Sequence, residues 1–238
     1  MLRGIHEIET PRLWLRCFEP EDADALQAVL AASRAHLARF LPWAEAEPQS
    51  RADKLAWILA RRADFDLGLE RVFGLFRGPR DAARAAGPSA HPAPRPWSAA
   101  GPAEERPGTL LGGIGMHPRG NGPGSLELGY WLAQPHLGRG YAREAVAALL
   151  RFGFEHLGLN KLEIRIAPDN RASRRIPEAL GFRLDGVLRA QLEAPGEQPP
   201  MDACVYSLLE PEFRALRAGL APIACFDARG ARLTPGWG

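Results

Sequence analysis

Apolar and polar residues alternate in several short runs along the chain, and this period of two predicts β-strands. The run PRLWLRCF predicts a first strand over residues 13–18, and ERVFGLFRG predicts a second. After a Pro-rich segment, the runs TLLGGIGMH, SLELGYWLA and KLEIRIAP predict three further strands. FRLDGVLRAQL and MDACVYSLL then predict two strands that pair as a hairpin.

Apolar residues at helical spacing separate these strands. A first helix is predicted to begin at residues 20–22, and a second to follow SRAD with Leu55 and Ile58 on one face. A third helix begins after Gly140, and a short fourth runs from the capping residue Asn170 to Gly181. The order β-α-α-β-insertion-β-β-α-β-α-β-β predicts an α+β fold, in which about four helices flank a mixed sheet of six to seven strands.

Composition changes sharply over residues 78–108. This segment is rich in Pro, Gly and Ala and contains no Leu, Ile, Val or Phe. Because it can bury little apolar surface, it predicts a flexible surface insertion within a single domain of residues 1–218. Such an insertion is either a low-complexity expansion without a role or a lid over a substrate site, anchored by Trp97. Residues 219–238 predict either a small hairpin or a loose tail.

Charge and cysteine content narrow the class of protein. The 30 Lys and Arg residues nearly balance the 28 Asp and Glu residues, so nothing indicates a nucleic acid or an anionic membrane as a partner. Three widely spaced cysteines, and charges where a signal peptide would be apolar, predict a reduced, cytoplasmic location. No run approaches the ~18 apolar residues of a membrane span.

The histidines show no spacing that indicates chemistry. His36, His117, His136 and His156 are scattered, and none lies at a metal-ligand or triad spacing. We therefore expect no metal, and we expect each of these histidines to be an ordinary surface or core residue.

The run QPHLGRGYAREAV places Gly138 and Gly140 at the entrance to the third helix. Glycine there either lets two elements pack closely or lets an anion reach the unpaired N–H groups and positive dipole end of the helix. In the second case the backbone amides of residues 137–142 hold a pyrophosphate, and Arg139 or Arg143 adds charge. No G-x-x-x-x-G-K-[ST] run exists, which excludes a P-loop.

Several motifs together resemble the GCN5-related N-acetyltransferases (GNAT), and within them the RimJ/RimL branch of ribosomal-protein N-terminal acetyltransferases. The motifs are PRLWLRCF, LELGYWLAQPHLGRGYAREAV, DNRASRRIPEALGF and DACVYSLL, which together span residues 10–213 apart from the insertion. The family's own signature is Gln or Arg, two residues, Gly, any residue, then Gly or Ala. Gly140 and Ala142 fit this signature, but Leu137 replaces the Gln or Arg, a position that the family uses largely through its backbone N–H.

The resemblance implies a GNAT-like fold and acetyl-coenzyme A as co-substrate. It assigns the pyrophosphate to the amides of residues 137–142. It assigns the pantetheine arm to the strand at 128–132, in an opening between this strand and residues 161–167. The implied cofactor-binding residues are Leu128, Tyr130, Trp131, Leu132, Leu137, Gly138, Arg139, Gly140, Tyr141, Ala142 and Asn170.

Catalysis requires that the amine lose a proton and that the leaving thiolate gain one. Glu127 is the candidate base, because it lies on the strand that carries the cofactor; the alternative is a solvated or cross-strand ion-paired glutamate. Glu193, after GVLRAQL, is a second candidate. The resemblance indicates Ser173 of the N-x-x-S pattern as the acid, against a helix-start serine that satisfies backbone groups. Asn170 either contacts the pantetheine amide or caps the helix.

These residues predict an N-acetyltransferase that moves an acetyl group from acetyl-coenzyme A to a primary amine. The acceptor is either a protein N-terminus or a small amine. The alternatives are a non-catalytic acyl-coenzyme A sensor and a transferase for a longer acyl group. Trp14, Trp43 and Tyr130 are candidates for the acceptor pocket. Homodimers are common in the branch that the chain resembles.

Overall fold

The computed structural model describes residues 4–86, 106–118 and 122–234. Within these residues ten strands form one sheet in the order β10-β9-β1-β2-β3-β4-β5-β6-β8-β7. Strands β5 and β6 are parallel, and the other neighbouring strands are antiparallel. The strands are β1 (Ile5–Glu9), β2 (Leu13–Cys17), β3 (Arg71–Arg77), β4 (Leu110–His117), β5 (Ser125–Leu132), β6 (Lys161–Ile166), β7 (Arg183–Leu192), β8 (Met201–Leu209), β9 (Ala224–Asp227) and β10 (Arg232–Leu233).

Six α-helices accompany this sheet in the described residues. None of them is long and apolar enough to cross a membrane. Helix α4 continues into a π-helical turn at Phe152–His156. The helices are α1 (Ala23–Leu37), α2 (Arg51–Leu67), α3 (Arg80–Ala86), α4 (Tyr141–Arg151), α5 (Arg171–Ala179) and α6 (Glu210–Leu216).

The mixed α+β class is confirmed, but the sheet is larger than the predicted six to seven strands. Strands β1, β9 and β10 extend one edge, and β9 and β10 form a hairpin in the C-terminal segment. The run IHEIE of β1 does not alternate regularly between apolar and polar residues. Its buried positions are Ile5, Glu7 and Ile8, so one of them is charged. Charge pairing therefore fixes a strand that the hydrophobic pattern does not show.

Residues 80–86, at the start of the predicted insertion, form helix α3. In α3, Arg80 and Arg84 both form ion pairs with the buried Glu7 of β1. Glu7 also accepts a hydrogen bond from the Trp14 indole N–H at 3.1 Å. These contacts hold the first part of the insertion against β1 and β2. Trp97, and with it the lid hypothesis, lies outside the described residues.

The sheet separates two apolar cores, and alternate residues of β2 enter opposite cores. On one side Val146 and Leu149 of α4 pack with Leu128 of β5; we call this the α4 side. On the other side α1 packs on Trp14 and Phe76, with Trp131 at the margin; we call this the α1 side. Strand β5 therefore faces two different environments along its length.

Candidate active site

Strands β5 and β6 are paired at their beginnings and separate toward their ends. Residues 125–127 pair with residues 161–163 in parallel register. Beyond them β5 stays paired with β4 as far as Leu132, and β6 with β8 as far as Ile166, while the described strands show no pairing between β5 and β6. Because backbone N–H and C=O groups require partners, the edge of β5 at this opening can hydrogen-bond an extended ligand.

A glycine-bearing loop connects the open end of β5 to α4. A 3₁₀ turn at Gln134–His136 precedes Gly138 (φ 74°) and Gly140 (φ 79°), and Gly140 is the N-cap of α4. A Cβ added to Gly138 would meet no described atom within 4 Å, so space is open beside the loop. The first N–H groups of α4 have no helical acceptors, and an anion can approach them here.

Arg12 and Glu144 fasten this loop to the start of β2. Glu144 Oε2 accepts from Arg12 Nε at 2.6 Å, and Glu144 Oε1 accepts from the Arg12 backbone N–H at 2.9 Å and from Thr10 Oγ1 at 2.6 Å. Arg12 Nη1 donates to the Arg139 carbonyl at 2.9 Å, and the guanidinium lies 4.8 Å from the Tyr141 ring centroid. The loop is thereby held in place by protein contacts, which lowers the cost of ordering it on binding.

The predicted cofactor residues of this loop differ in the burial of their side chains. Tyr141 and Ala142 are buried, so their side chains belong to the core. The Leu137 side chain is exposed, and its backbone N–H donates to the Gln134 carbonyl at 3.4 Å. Substitution of Gly140 is unfavourable, because its φ is positive and an added Cβ would lie 3.4 Å from Arg12 Nη2. A side chain there would strain the fold as well as the loop.

Tyr130 on β5 and Ser173 on α5 are joined by two hydrogen bonds. Ser173 Oγ donates to Tyr130 Oη at 2.9 Å, and Tyr130 Oη donates to the Ser173 carbonyl at 3.1 Å. This carbonyl is available because Pro177, four residues later, has no N–H to donate to it. Asn170 Oδ1 accepts from the Ser173 N–H at 3.2 Å, so the side chain of Asn170 caps the helix.

Burial raises the pKa of the Tyr130 hydroxyl above its ordinary value, and the hydrogen bond from Ser173 opposes only part of this effect. The phenol is therefore protonated at neutral pH. Because each hydroxyl proton is directed within the pair, Ser173 has to turn away from Tyr130 before it can donate to a ligand in the opening.

Glu127 lies on the α1 side, where the opening begins, in a row of charged side chains. Its Oε2 lies 3.3 Å from Arg165 Nε on β6, and Arg165 Nη2 lies 3.6 Å from Glu163 Oε2. Glu163 is buried and also pairs with Lys161. The cross-strand ion pair considered for Glu127 is therefore present. Glu193 follows β7 and is exposed.

The three aromatic residues predicted for the acceptor pocket do not come together. Trp43 is half-exposed and packs edge-to-face on Trp131, with ring centroids 6.1 Å apart. Trp14 is buried, and Tyr130 belongs to the α4 side. Only Trp43 lines the exposed α1 side near the opening. Among the residues that the structure describes, no group of three or more His, Cys, Asp or Glu is arranged to hold a metal ion.

Two loops meet on the α1 side near the open end of the strands. The Gly196 N–H, between β7 and β8, donates to Glu45 Oε2 at 2.7 Å, and Glu45 belongs to the 3₁₀ turn Pro42–Ala46 between α1 and α2. Because β8 begins beside the end of β6, this contact spans the open end of the strands. It narrows the approach to the opening from the α1 side.

Residues 12–183 match a family model described as an acetyltransferase (GNAT) domain. The match contains the opening, the glycine-bearing loop and Ser173. This chain belongs to the GNAT acetyltransferase family. The predicted family and fold are thereby confirmed.

Known GNAT proteins resemble this chain in sequence or in fold. N-acetyltransferase p20 of Bacillus licheniformis, itself named as uncharacterized, is 35% identical over 104 residues, which are 44% of this chain and 57% of p20. The match thus spans little more than half the length of this curated relative. Mycobacterium smegmatis RimJ, solved with CoA-disulfide, superposes with a TM-score of 0.66 and 21% identity, and the superposition covers 93% of this chain and 99% of RimJ. RimL, solved with coenzyme A, gives 0.65 and 15%, covering 84% of this chain and 96% of RimL.

Sequence reasoning missed the residue pairs that fasten and orient the site. Arg12 acts on Glu144 from 132 positions away, and Tyr130 acts on Ser173 from 43 positions away. Glu45 reaches Gly196 across 151 positions. Pro177 was the one available signal, because a proline inside a helix leaves the carbonyl four residues earlier without its usual N–H donor.

Proposed function

We propose that this GNAT chain transfers an acetyl group from acetyl-coenzyme A to a primary amine. The observation that carries the proposal is the opening between β5 and β6, which leads directly into the glycine-bearing loop at the start of α4. An extended thioester arm requires an unpaired strand edge, and a pyrophosphate requires clustered N–H donors. In this chain the open edge of β5 is followed directly by the N–H groups at the start of α4, and family membership supports the same assignment.

The coenzyme would be held mainly by backbone groups. We assign the pyrophosphate to the amides of residues 137–142, with charge from Arg139, and the pantetheine arm to the edge of β5 at residues 128–132. Asn170 acts through Ser173, whose backbone N–H it binds. When bound, acetyl-coenzyme A supplies the activated thioester; the protein orients it and manages the protons.

The acceptor amine is deprotonated on the α1 side of β5, and the departing thiolate is bound on the α4 side. A free α-amine has a pKa near ~8, so the acceptor must lose a proton before its nitrogen can attack the thioester carbon. Glu127 draws this proton, directly or through a neighbouring group, because it lies on the α1 side where the opening begins. Ser173 turns from Tyr130 and hydrogen-bonds the departing thiolate from the α4 side.

The acceptor that we favour is the amine at a protein N-terminus, and a small amine is the second candidate. The contact between Glu45 and Gly196 narrows the approach on the α1 side, which suits an amine at the end of a chain. The Trp131 indole lies over Gly113 and against Trp43, so aromatic surface occupies the space into which a longer acyl chain would extend. This favours acetyl over larger groups.

The test begins with calorimetric titration of acetyl-coenzyme A into the wild type and into Gly138→Glu. Gly158→Glu is the matched control, because both glycines have positive φ (74° and 66°) and open space at Cβ. A carboxylate at Gly138 repels the pyrophosphate, and we expect at least tenfold weaker binding, about 1.4 kcal/mol. Equal weakening in both variants would contradict the assignment of the loop.

Turnover is then measured as coenzyme A thiol release with spermidine and with peptides that begin with Ser or Ala. Release with a peptide supports the N-terminal acceptor, and release with spermidine alone supports the small amine. Binding of acetyl-coenzyme A without release on any of these amines would favour the sensor. Faster thiol release from a longer acyl-coenzyme A would favour a transferase for a longer acyl group.

A further inference from the structure

His117 ends β4 on the α1 side of the sheet, opposite Glu127 in the antiparallel register. Its ring folds back over the sheet. A Cβ added to Gly115 would lie 2.5 Å from His117 Nε2, and one added to Gly129 would lie 3.8 Å from it. The imidazole therefore occupies the space over the Gly115–Gly129 pair. Gly129 belongs to the part of β5 from which β6 has separated, so Nε2 lies beside the opening.

The other ring nitrogen faces a carboxylate. His117 Nδ1 lies 3.4 Å from Glu70 Oε2, and Glu70 Oε2 accepts from Arg61 Nη1 of α2 at 2.8 Å. A carboxylate beside Nδ1 favours the tautomer that carries its proton there, which leaves Nε2 with a free lone pair. Arg61 and Glu70 thus hold the imidazole with its accepting nitrogen toward β5.

The imidazole is accessible and has charged neighbours. The His117 side chain is 20% exposed, so a substrate amine or a water can reach it. Among the described residues, Glu70 faces it from the connection between α2 and β3, with Arg61 behind Glu70, and Glu127 stands opposite it in the register of β5, paired with Arg165.

We infer that His117 Nε2 receives the proton that the neutral amine nitrogen loses as it attacks the thioester, after Glu127 has drawn off the ammonium proton, with Glu70 as its positioning residue. The C–N bond forms at the thioester carbon, the C–S bond breaks, and one proton moves from the amine nitrogen to Nε2. The imidazolium then releases that proton to water, and the thiolate takes one from water while Ser173 binds it. This inference rests on the acetyl transfer proposed above.

The test compares His117→Gln with His6→Gln, which removes a histidine of β1 that packs on Phe65 away from the opening. We expect His117→Gln to lower kcat/KM at least ~100-fold, as for loss of a general base, while acetyl-coenzyme A binds as before. On the acid side, log kcat/KM should fall with slope two in the wild type, because imidazole and amine must both be deprotonated. The slope should become one in His117→Gln and stay two in His6→Gln.

Glu70→Gln should lower kcat ~10-fold or more and leave KM nearly unchanged, because it misorients the ring without touching the substrate. Ring-proton NMR gives a readout without turnover: acetyl-coenzyme A should shift the His117 resonances and leave those of His6 in place. An unchanged slope in His117→Gln, or unshifted His117 resonances in a chain that binds the coenzyme, would overturn the inference. Failure of the wild type to bind the coenzyme would instead overturn the proposed function.

Discussion

The two sides of strand β5 are built in different ways. On the α4 side, Leu128 is packed into an apolar core, and the groups offered to a ligand are backbone N–H and C=O groups. On the α1 side, Glu127 and His117 are side chains held by charged partners from other elements. The side proposed for the coenzyme therefore depends on chain geometry, which many sequences satisfy. The side proposed for the acceptor depends on particular side chains, so we expect substrate choice to be decided there.

The largest expected effect tests the group that binds the departing thiolate on the α4 side. Ser173→Ala should lower kcat ~100-fold, because the thiolate loses its hydrogen-bond donor, with unchanged affinity for acetyl-coenzyme A. Tyr130→Phe should lower kcat much less, because it removes the hydroxyl that holds Ser173 but leaves the donor itself. Steady-state kinetics of both variants with one acceptor peptide makes the comparison.

A larger loss of kcat in Tyr130→Phe than in Ser173→Ala would indicate that Tyr130 is the donor and that Ser173 positions it. Thermal unfolding serves as the control: Ser173→Ala removes one partly buried hydrogen bond and Tyr130→Phe removes two, each worth about 1 kcal/mol of unfolding free energy. A larger loss of kcat in Ser173→Ala, the variant expected to lose less stability, would locate the difference in the chemistry.

The second effect concerns how the coenzyme loop is held. Glu144→Ala leaves the Arg12 side chain and backbone N–H and the Thr10 hydroxyl without their acceptor, and should lower the free energy of unfolding by about 2 kcal/mol. Asp24→Ala removes the acceptor of an exposed ion pair with Arg51 and should cost less than ~0.5 kcal/mol. Urea unfolding measures both. Equal losses would mean that the Glu144 contacts do not hold the loop.

The contrast between backbone geometry on the α4 side and paired side chains on the α1 side explains which features the sequence could predict. Gly138 and Gly140 at a helix entrance, and apolar alternation in β5, are local signals, and both predicted the elements correctly. Neither the partner of Glu144 nor the carboxylate beside His117 has a local signal. His117 was expected to be ordinary because its spacing fits no motif; its orientation comes from Glu70, which directly precedes the neighbouring strand β3. Side-chain pairs that depend on strand order cannot be found by periodicity.

The third effect tests the approach on the acceptor side. Glu45→Ala removes the carboxylate that binds the Gly196 N–H and should raise KM for a peptide acceptor several-fold, about 1 kcal/mol for one charge-assisted hydrogen bond. Glu197→Ala removes an exposed carboxylate from the same loop and is the control for charge. The Kd for acetyl-coenzyme A should be unchanged in both. A changed coenzyme Kd in Glu45→Ala would show that the two sides of β5 are not independent.

The smallest expected effect concerns the dryness of the α4 side. Burial raises the pKa of Cys17 and of Cys225 to about 12, and both thiols lie in the core on that side. In the folded chain they stay protonated at pH 8 and should not react with a disulfide reagent, whereas in urea they should react fully; peptide mapping after alkylation measures each site. Because the folded pKa is raised, this contribution to stability is complete below the ordinary thiol pKa near ~8.5 and is lost as pH rises toward 12. Reaction of Cys17 in the folded chain at pH 8 would show that water enters the α4 side and would contradict the packed apolar core described for it.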